Sequence, residues 1–332
     1  MSGQEKYLVI GSNSFSGASF TDFLLRRGDV VTGVSRSPEP DAVFLPYRWS
    51  PNTDNFRFLQ FDLNHDLDDL MSVIDSEKPD YVVNFAAQSM VGESWRHPEH
   101  WFMTNVVSTV RLHDRLRHCA FMKRYLSVTT PEVYGSTDGL ITEDAPFKPS
   151  TPYAVSRAAC DMSLRTFFDA YGFPVVSTRA ANVYGPGQRL YRIIPRTILF
   201  VMMGRKLQLH GGGVSKRSFI HISDVADATL RVLQQAPPGE TYHVSTNEVV
   251  TVRELVERIC AKLGANFDDC VEIADERVGK DNAYMLDSRK LRKSLDWVDR
   301  ISLDQGLDEC ITWVKANFEE LRHQPMDYVH QP

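Results

Sequence analysis

The chain has 332 residues, a net charge of −6 and 42% hydrophobic residues, so it is long enough for one large domain or two smaller ones. An acidic balance argues against nucleic-acid binding, which needs a basic face. The five cysteines are scattered and form no C-x-x-C pair. This spacing argues against a zinc site or a disulfide framework, so we expect reduced thiols and no metal site.

No segment has the pattern of a signal peptide or a membrane-spanning helix. The first residues lead directly into an apolar strand. The most apolar later stretch, 193–203, is interrupted by Pro195 and Arg196 and is too short to cross a bilayer. We therefore expect a cytoplasmic location and no membrane partner.

The first half of the chain alternates short apolar runs with helical patterns. Strands are predicted at 7–10, 29–34, 56–61, 81–85, 125–128 and 175–178. Helices are predicted between them at about 17–27, 67–76, 99–118 and 153–171. Such alternation predicts a parallel sheet with helices on both faces. The expected fold class is therefore α/β, with a Rossmann-type doubly wound parallel sheet.

After Gly185 the pattern changes to short strands mixed with helices. The clearest helix begins after Thr251, which has capping-box spacing with Glu254. The predicted strands lie at 207–209, 242–244 and 271–273. This change of pattern indicates a second unit of mixed α/β structure.

We predict a dinucleotide-binding domain over 1–184 and a smaller mixed α/β substrate lobe over 185–332. The second unit is expected to close over the carboxyl edge of the sheet, where ligands of such folds bind. Residues 218–235 have the pattern of a strand and a helix, and we expect this segment to return to the first domain.

The first predicted strand leads into a loop marked by two glycines. The candidate cofactor residues in this loop are the two glycines, Gly11 and Gly17, and four residues between them, Asn13, Ser14, Phe15 and Ser16. A phosphate must approach backbone N–H groups at a helix N-terminus closely, and glycine allows that approach. The spacing alone is a weak signal, but its place after the first strand of an alternating chain predicts a dinucleotide site.

The second strand ends at Ser35, Arg36 and Ser37, where enzymes that prefer NAD carry an acid for the ribose diol. A guanidinium group matches the oxygens of a 2′-phosphate. This segment therefore favours NADP(H) as the cofactor, with NAD(H) possible. The alternative is that Arg36 is an ordinary solvated loop residue.

Thr130, Tyr153 and Arg157 are the groups needed to remove a hydride and a proton from a secondary alcohol. The phenolate of Tyr153 would accept the alcohol proton. Free tyrosine has a pKa near 10, so action near neutral pH requires a pKa lower by about three, on the order of 4 kcal/mol. A cation one helical turn away, Arg157, is expected to supply most of that lowering. The alternative is an ordinary pair on a helix surface.

The segments 127–135 and 153–157, together with the glycine loop, resemble the active site of the extended short-chain dehydrogenase/reductases. They are most similar to the nucleotide-sugar 4,6-dehydratases of the dTDP-glucose or GDP-mannose type. Two positions depart from that pattern. Arg157 stands in place of a lysine, and Pro131 stands in place of an aspartic acid that protonates the leaving hydroxyl. The resemblance implies that Glu132 removes the C5 proton, and without that acid Glu132 would also carry the proton to the leaving group. The alternative is that Glu132 only caps a turn.

The resemblance also implies further contacts with cofactor and substrate. For the cofactor, these residues are Asp62 at the adenine, then Leu63, Phe85, Ala86, Ala87 and Asn105, with Tyr153 and Arg157. For a nucleotide-sugar substrate, they are Gln88, Thr130, Asn182, Arg192, Leu209, Arg217 and Tyr284. The alternative for those beyond residue 184 is a surface position in the smaller lobe.

These features predict a nucleotide-sugar 4,6-dehydratase. It would oxidise C4 of a nucleotide-hexose, eliminate water across C5 and C6, and return the hydride to C6. The alternatives are a 4-epimerase, a 4-dehydrogenase or a glucuronate decarboxylase, which share the first oxidation. A different class is a non-catalytic NAD(P)-binding regulatory protein.

The resemblance further implies a homodimer that pairs the predicted helices 99–118 and 153–171. The second helix has an apolar stripe at Leu164, Phe167 and Phe168, with Met162 nearby. A stripe of this kind serves equally well as a dimer contact or as part of the chain's own core.

Overall fold

The structure, a computed structural model, describes residues 4–137, 139–275 and 285–331. Its strands are β1 Lys6–Ile10, β2 Val30–Ser35, β3 Phe56–Gln60, β4 Tyr81–Asn84, β5 Arg124–Thr129, β6 Leu140–Ile141, β7 Val175–Ala180, β8 Asn182–Tyr184, β9 Leu207–His210, β10 Lys216–Arg217, β11 Phe219–His221, β12 Thr241–Val244, β13 Val250–Thr251, β14 Val271–Ala274 and β15 Met285–Leu286. Its α-helices are α1 Phe15–Arg26, α2 Leu67–Glu77, α3 Pro98–Phe102, α4 Thr109–Leu116, α5 Pro152–Tyr171, α6 Ile193–Met202, α7 Ile222–Gln235, α8 Val252–Lys262, α9 Phe267–Cys270, α10 Arg289–Ser294, α11 Leu303–Ala316 and α12 Phe318–Leu321.

Seven strands form one sheet in the order β3-β2-β1-β4-β5-β7-β12, and every neighbouring pair in it is parallel. The chain moves outward from β1 to β3 and then returns to the other side of β1 with β4. Ligands of such sheets bind beyond the carboxyl ends of the strands at this change of direction. The prediction of a Rossmann-type doubly wound parallel sheet is confirmed.

Helices bury both faces of the sheet, as the alternation of β1 shows. Tyr7 and Val9 belong to the apolar core on the face covered by α1 and α7. Leu8 and Ile10 belong to the core on the opposite face, under α2, α4 and α5. Because successive side chains of a strand point to opposite faces, a strand buried on both sides must be apolar throughout.

The second half of the chain contributes to this sheet and also forms a separate packed region. α7 covers one face, and β12 extends the edge beside β7. Helices α6, α8 and α11 pack around their own apolar core. The predicted capping box of α8 is present, since Thr251 Oγ1 accepts from the Glu254 N–H (3.0 Å) and Glu254 Oε2 accepts from the Thr251 N–H (2.7 Å). The division at residue 184 stays a prediction.

The prediction of one continuous α-helix over 99–118 is wrong, because the α-helix is interrupted. A π-helical turn, Met103–Ser108, separates α3 from α4. Asn105 in this turn is fully buried, and its amide bonds to the backbone of Gln88 and to the Ser156 hydroxyl. A π-turn widens the helix locally, and such turns are frequent at functional sites. Nothing in the apolar periodicity marks this change.

Candidate active site

The loop after β1 packs so closely against its neighbours that its two glycines leave no room for a side chain. A Cβ added to Gly11 would lie 2.7 Å from the Ala86 backbone nitrogen, and one added to Gly17 would lie 2.2 Å from the Gly11 carbonyl oxygen. Ser14 caps α1, because its Oγ accepts from the Gly17 N–H (3.1 Å). A short loop of small residues between the first strand of a parallel sheet and a helix N-terminus is the arrangement that binds the diphosphate of a dinucleotide in such folds, so these residues fit that group.

Arg36, Ser37 and Gln88 converge on Gln331. Arg36 Nη2 and Gln88 Nε2 both donate to the Gln331 carbonyl oxygen, at 2.9 and 2.8 Å. Ser37 Oγ donates to Gln331 Oε1 at 3.2 Å. Three side chains assigned from sequence to cofactor or substrate thus meet at the carboxyl edge of the sheet. A ligand that binds Arg36 must either share this arginine with Gln331 or displace Gln331 from it.

Several other predicted cofactor residues maintain the shape of this edge. Ser35 Oγ accepts from the Asn13 N–H (2.9 Å), and the Asn13 side-chain amide donates to the Ser37 carbonyl (3.0 Å). Asp62 Oδ1 accepts from the Asn64 N–H (2.8 Å) and so forms a local turn. The remaining predicted contacts are Phe15 and Phe85, which pack against the core, the buried Leu63, and the half-buried Ser16 and Ala87. Their roles toward a cofactor stay predictions.

Helix α5 places two of the predicted catalytic side chains. Thr151 Oγ1 accepts from the Ala154 N–H (3.1 Å) and caps the helix, which puts Tyr153 in the first turn and Arg157 in the next. Arg157 is 5% exposed and donates to the Val128 carbonyl oxygen. The guanidinium group is therefore fixed against the end of β5, one helical turn from the phenol.

The turn that follows β5 brings the other two predicted catalytic residues to the same place. Thr130 caps the short 3-10 helix Pro131–Tyr134, where its hydroxyl accepts from the Glu132 N–H (3.3 Å). The Thr130 side chain also hydrogen-bonds with Tyr153, and the Glu132 charge acts on that phenol. The structure therefore brings Thr130, Glu132, Tyr153 and Arg157 together, although their catalytic roles stay predictions.

The expected lowering of the Tyr153 pKa is wrong for this structure. Burial is the largest influence and raises the pKa of Tyr153, and the Glu132 charge raises it further. Arg157, the bond with Thr130 and the charge of Arg192 lower it, without cancelling the rise. Arg157 therefore offsets burial and Glu132 rather than making the phenol acidic. The influence of Arg192 places this predicted substrate residue near the phenol.

The remaining predicted substrate residues have different surroundings. Asn182 lies in β8, which pairs in parallel with β11. Arg217 lies in the short strand β10, and its Nη1 donates to the neighbouring Lys216 carbonyl (2.7 Å). Leu209 is 3% exposed and its side chain belongs to an apolar core, and its role toward a substrate stays a prediction. Tyr284 lies outside the described residues.

Two expectations from the sequence concern metal sites and membrane-spanning helices. In those residues, no group of three or more His, Cys, Asp or Glu side chains is placed to hold a metal ion. No helix within the same ranges is both long enough and apolar enough to span a bilayer.

Sequence reasoning missed a buried polar cluster beneath the catalytic turn, formed by Tyr134, Asp161, Arg179 and His243. The spacing of Asp161, four residues after Arg157, places both on one face of α5 and was a usable signal. No comparable signal exists for Arg179 and His243. They reach the cluster only because their strands, β7 and β12, are neighbours in the folded sheet.

Comparison with known proteins agrees with this geometry. Residues 8–310 match the family model for GDP-mannose 4,6 dehydratase. A dTDP-D-glucose 4,6-dehydratase of Bos taurus is 32% identical over 82% of this chain and 78% of its own length. A dTDP-glucose 4,6-dehydratase of Xanthomonas campestris is 31% identical over 94% of this chain and 93% of its own. The crystal structure of the dTDP-glucose 4,6-dehydratase DesIV from Streptomyces venezuelae, with NAD bound, has a TM-score of 0.87 at 30% identity, covering 95% of this chain and 98% of that one.

Proposed function

The chain belongs to the GDP-mannose 4,6-dehydratase family of extended short-chain dehydrogenase/reductases, and on that premise we propose that it is a nicotinamide-dependent nucleotide-sugar 4,6-dehydratase. The observation on which this proposal rests is the meeting of Tyr153, Thr130 and Glu132 at the carboxyl end of β5, in the same parallel sheet whose strand β1 leads into the glycine loop. The substrate would be a nucleotide-hexose, as the names of the relatives suggest. A cytoplasmic location stays a prediction.

Tyr153, Thr130 and Arg157 serve the first step of this proposal. A bound nicotinamide would supply the hydride chemistry, as acceptor of the hydride from C4 of the sugar and as its donor to C6. The phenolate of Tyr153 takes the proton of the C4 hydroxyl as the C–H bond breaks. Thr130 can orient the same oxygen, because its hydroxyl bonds with the phenol. The fixed charge of Arg157 stabilises the phenolate against burial and the Glu132 charge.

Glu132 serves the second step. Once C4 is a ketone, the proton on C5 is acidic, and a carboxylate is a suitable base for it. Pro131 has no proton to donate, so Glu132 passes the proton from C5 to the departing C6 hydroxyl. Hydroxide and that proton leave as one molecule of water. When the hydride returns to C6, C5 takes up one proton, which balances the proton that Tyr153 removed from the C4 hydroxyl, so no net oxidation of the sugar results.

Incubation of the purified protein with UDP-, dTDP-, CDP- and GDP-sugars, glucuronates included, tests this function. A product lighter by one water is the expected result for one of these substrates. An isomer of equal mass would instead favour a 4-epimerase, and loss of carbon dioxide from a glucuronate would favour a decarboxylase. No product from any of them, with a nicotinamide cofactor bound, would favour a regulatory protein.

The cofactor preference is a separate proposal. Arg36 and the absence of an acid at the end of β2 favour NADP(H), whereas the related DesIV structure contains NAD. We expect Arg36→Asp to weaken NADP(H) binding by about ten- to hundredfold, because a charged hydrogen bond to phosphate is worth about 1.5–3 kcal/mol. Binding of NAD(H) should change less. Titration calorimetry of cofactor-free protein with each dinucleotide measures both effects.

The matched control is Arg26→Asp, which makes the same change of charge at the exposed end of α1. It should leave both dissociation constants unchanged. If the denatured wild-type protein releases only NAD(H), and Arg36→Ala retains cofactor as the wild type does, the NADP(H) preference is wrong.

Exposed apolar side chains support the proposed homodimer. α3 and the π-turn pack beside α5, and their outer faces carry Phe102, Met103, Val107, Val155 and Met162. The stripe noted in the sequence, by contrast, faces the chain's own core, where Leu164 is buried and Phe167 and Phe168 pack against it. The exposed set is therefore the face available to a second copy.

Met162→Glu is expected to convert the dimer to a monomer, because it buries an unpaired carboxylate in the proposed contact. Light scattering at micromolar concentration measures the mass directly. Val214→Glu is the control, since Val214 is also exposed (68%, against 62% for Met162) but lies in the second half of the chain. A wild-type protein that is monomeric at this concentration would rule out the dimer.

A further inference from the structure

A buried arginine joins the two halves of the catalytic centre. Arg179 on β7 has 4% of its side chain exposed, and its partner Asp161 on α5 has 6%. Arg179 Nη2 donates to Asp161 Oδ2 at 2.9 Å, and Nη1 donates to the Tyr134 hydroxyl. One guanidinium group therefore contacts the helix that bears Tyr153 and the turn that bears Glu132.

On the side of the turn, the Tyr134 hydroxyl has a second partner. It lies 2.8 Å from Nε2 of His243, which is fully buried on β12. Burial lowers the pKa of His243 to about 3, so the ring is neutral near pH 7 and its Nε2 can accept a hydrogen bond. Arg179 thus donates to the hydroxyl, and the hydroxyl donates to His243. These two bonds fix the last residue of the 3-10 helix, two positions after Glu132.

On the side of the helix, Asp161 connects α5 to the end of β5. Its Oδ2 also accepts from the Thr129 hydroxyl at 2.9 Å. One turn earlier on α5, Arg157 donates to the Val128 carbonyl oxygen. The two contacts fix the position of α5 along the direction of β5. They therefore also set the position of Tyr153 relative to Thr130, the residue that follows Thr129.

Resting on the proposed function, we propose that Arg179 and Tyr134 are positioning residues that hold Glu132 at the C5 side of the sugar while Asp161 holds the helix of Tyr153. Stability alone is a poor reason for this cluster. Taking an ion pair out of water costs about as much as the pair regains, and apolar replacements are often as stable. A pair that bonds two catalytic segments at once, however, fixes their relative geometry. A displacement of about 1 Å in such a geometry can reduce a rate by about a hundredfold.

Tyr134→Phe tests this inference, because it keeps the ring and removes only the hydroxyl. In a single turnover with the nucleotide-hexose that the wild type dehydrates, the variant should transfer the C4 hydride to its bound nicotinamide as fast as the wild type does, which absorbance measures. Formation of the dehydrated product should fall by about ten- to hundredfold. Arg179→Lys is the second variant. It keeps the buried charge, loses the forked contact with two partners, and should show the same separation of the two steps.

Tyr7→Phe is the matched control. The Tyr7 hydroxyl is also buried and bonds to Glu5 (2.8 Å) and Gln234 (3.0 Å), but β1 places it at the amino end of the sheet, away from the site. The Tyr7→Phe variant should lower the melting temperature as Tyr134→Phe does. It should leave unchanged the ratio of the rate of hydride transfer from C4 to the rate of dehydration.

The outcomes separate this inference from the function on which it rests. Wild-type protein that dehydrates no nucleotide-hexose contradicts the proposed function itself. Wild-type protein that dehydrates, combined with a Tyr134→Phe variant whose two steps fall together or match those of Tyr7→Phe, overturns the positioning role alone. If Tyr134→Phe does not fold, the same comparison with Arg179→Lys decides the matter.

Discussion

The Glu132→Gln variant is expected to transfer a hydride from the added substrate to its bound oxidised nicotinamide, and yet to release little dehydrated product. The amide cannot remove the C5 proton, so elimination should slow by about a hundred- to ten-thousandfold, the usual contribution of a general base. The oxidation at C4 depends on Tyr153 and should persist. Its pH profile should move to lower pH, because the Glu132 charge raises the pKa of Tyr153 and the variant removes that charge.

Two measurements on the same sample show this separation, namely nicotinamide absorbance and product mass. Tyr153→Phe is the complementary variant and should show neither signal, because the alcohol proton then has no acceptor. Dehydration by Glu132→Gln at the wild-type rate would remove the base role and favour an epimerase or a dehydrogenase.

Arg157→Met is expected to slow the oxidation at C4 near neutral pH and to shift its pH profile upward. Burial and the Glu132 charge raise the pKa of Tyr153, and the Arg157 charge lowers it. Loss of the Arg157 charge therefore raises that pKa further. Each unit of increase in that pKa reduces the phenolate fraction, and the rate, by about tenfold below the pKa. Single-turnover absorbance across a pH series measures the shift. Arg157→Lys, which restores a cation, should recover most of it.

Arg124→Met is the control for the loss of a partly buried guanidinium group. Arg124 also donates to a backbone carbonyl, that of Ala236, but it lies at the opposite end of β5. This variant should lose stability without any shift in the pH profile. An Arg157→Met profile that superimposes on the wild-type profile would show that Arg157 holds α5 in place and does not act on the phenol.

The sheet and most of its helices were predictable because their signals are local. Runs such as Tyr81–Asn84 are apolar and short, and the helical patterns lie between them at regular intervals. The interruption at Met103–Ser108 was not predictable, because the sequence remains compatible with a continuous helix. It follows from tertiary contacts of Asn105, which bonds to the backbone of Gln88 and to Ser156 on another helix.

The same distinction applies to the site. Thr130 and Glu132 lie in the turn after β5, and Tyr153 and Arg157 lie in the next long helix. The resemblance of these two short segments to a known family, together with the helical spacing of Tyr153 and Arg157, predicted that the four residues would meet. Gln331 is 295 residues away from Arg36, and no pattern predicted their hydrogen bond. The pKa of Tyr153 was also misjudged, because the distance to Arg157 follows from helix geometry whereas the degree of burial depends on the whole fold.

The position of β12 has a consequence for the order in which the molecule can form. β12 completes the sheet beside β7, yet residues 181–240 separate the two strands, and α6 and β9 lie between them in the chain. During synthesis from the amino terminus, the edge of β7 therefore stays unpaired until residue 244 has been made. An open apolar strand edge is prone to pair with other chains. A shortened protein that stops at residue 184 would keep that edge open permanently, and we expect it to aggregate.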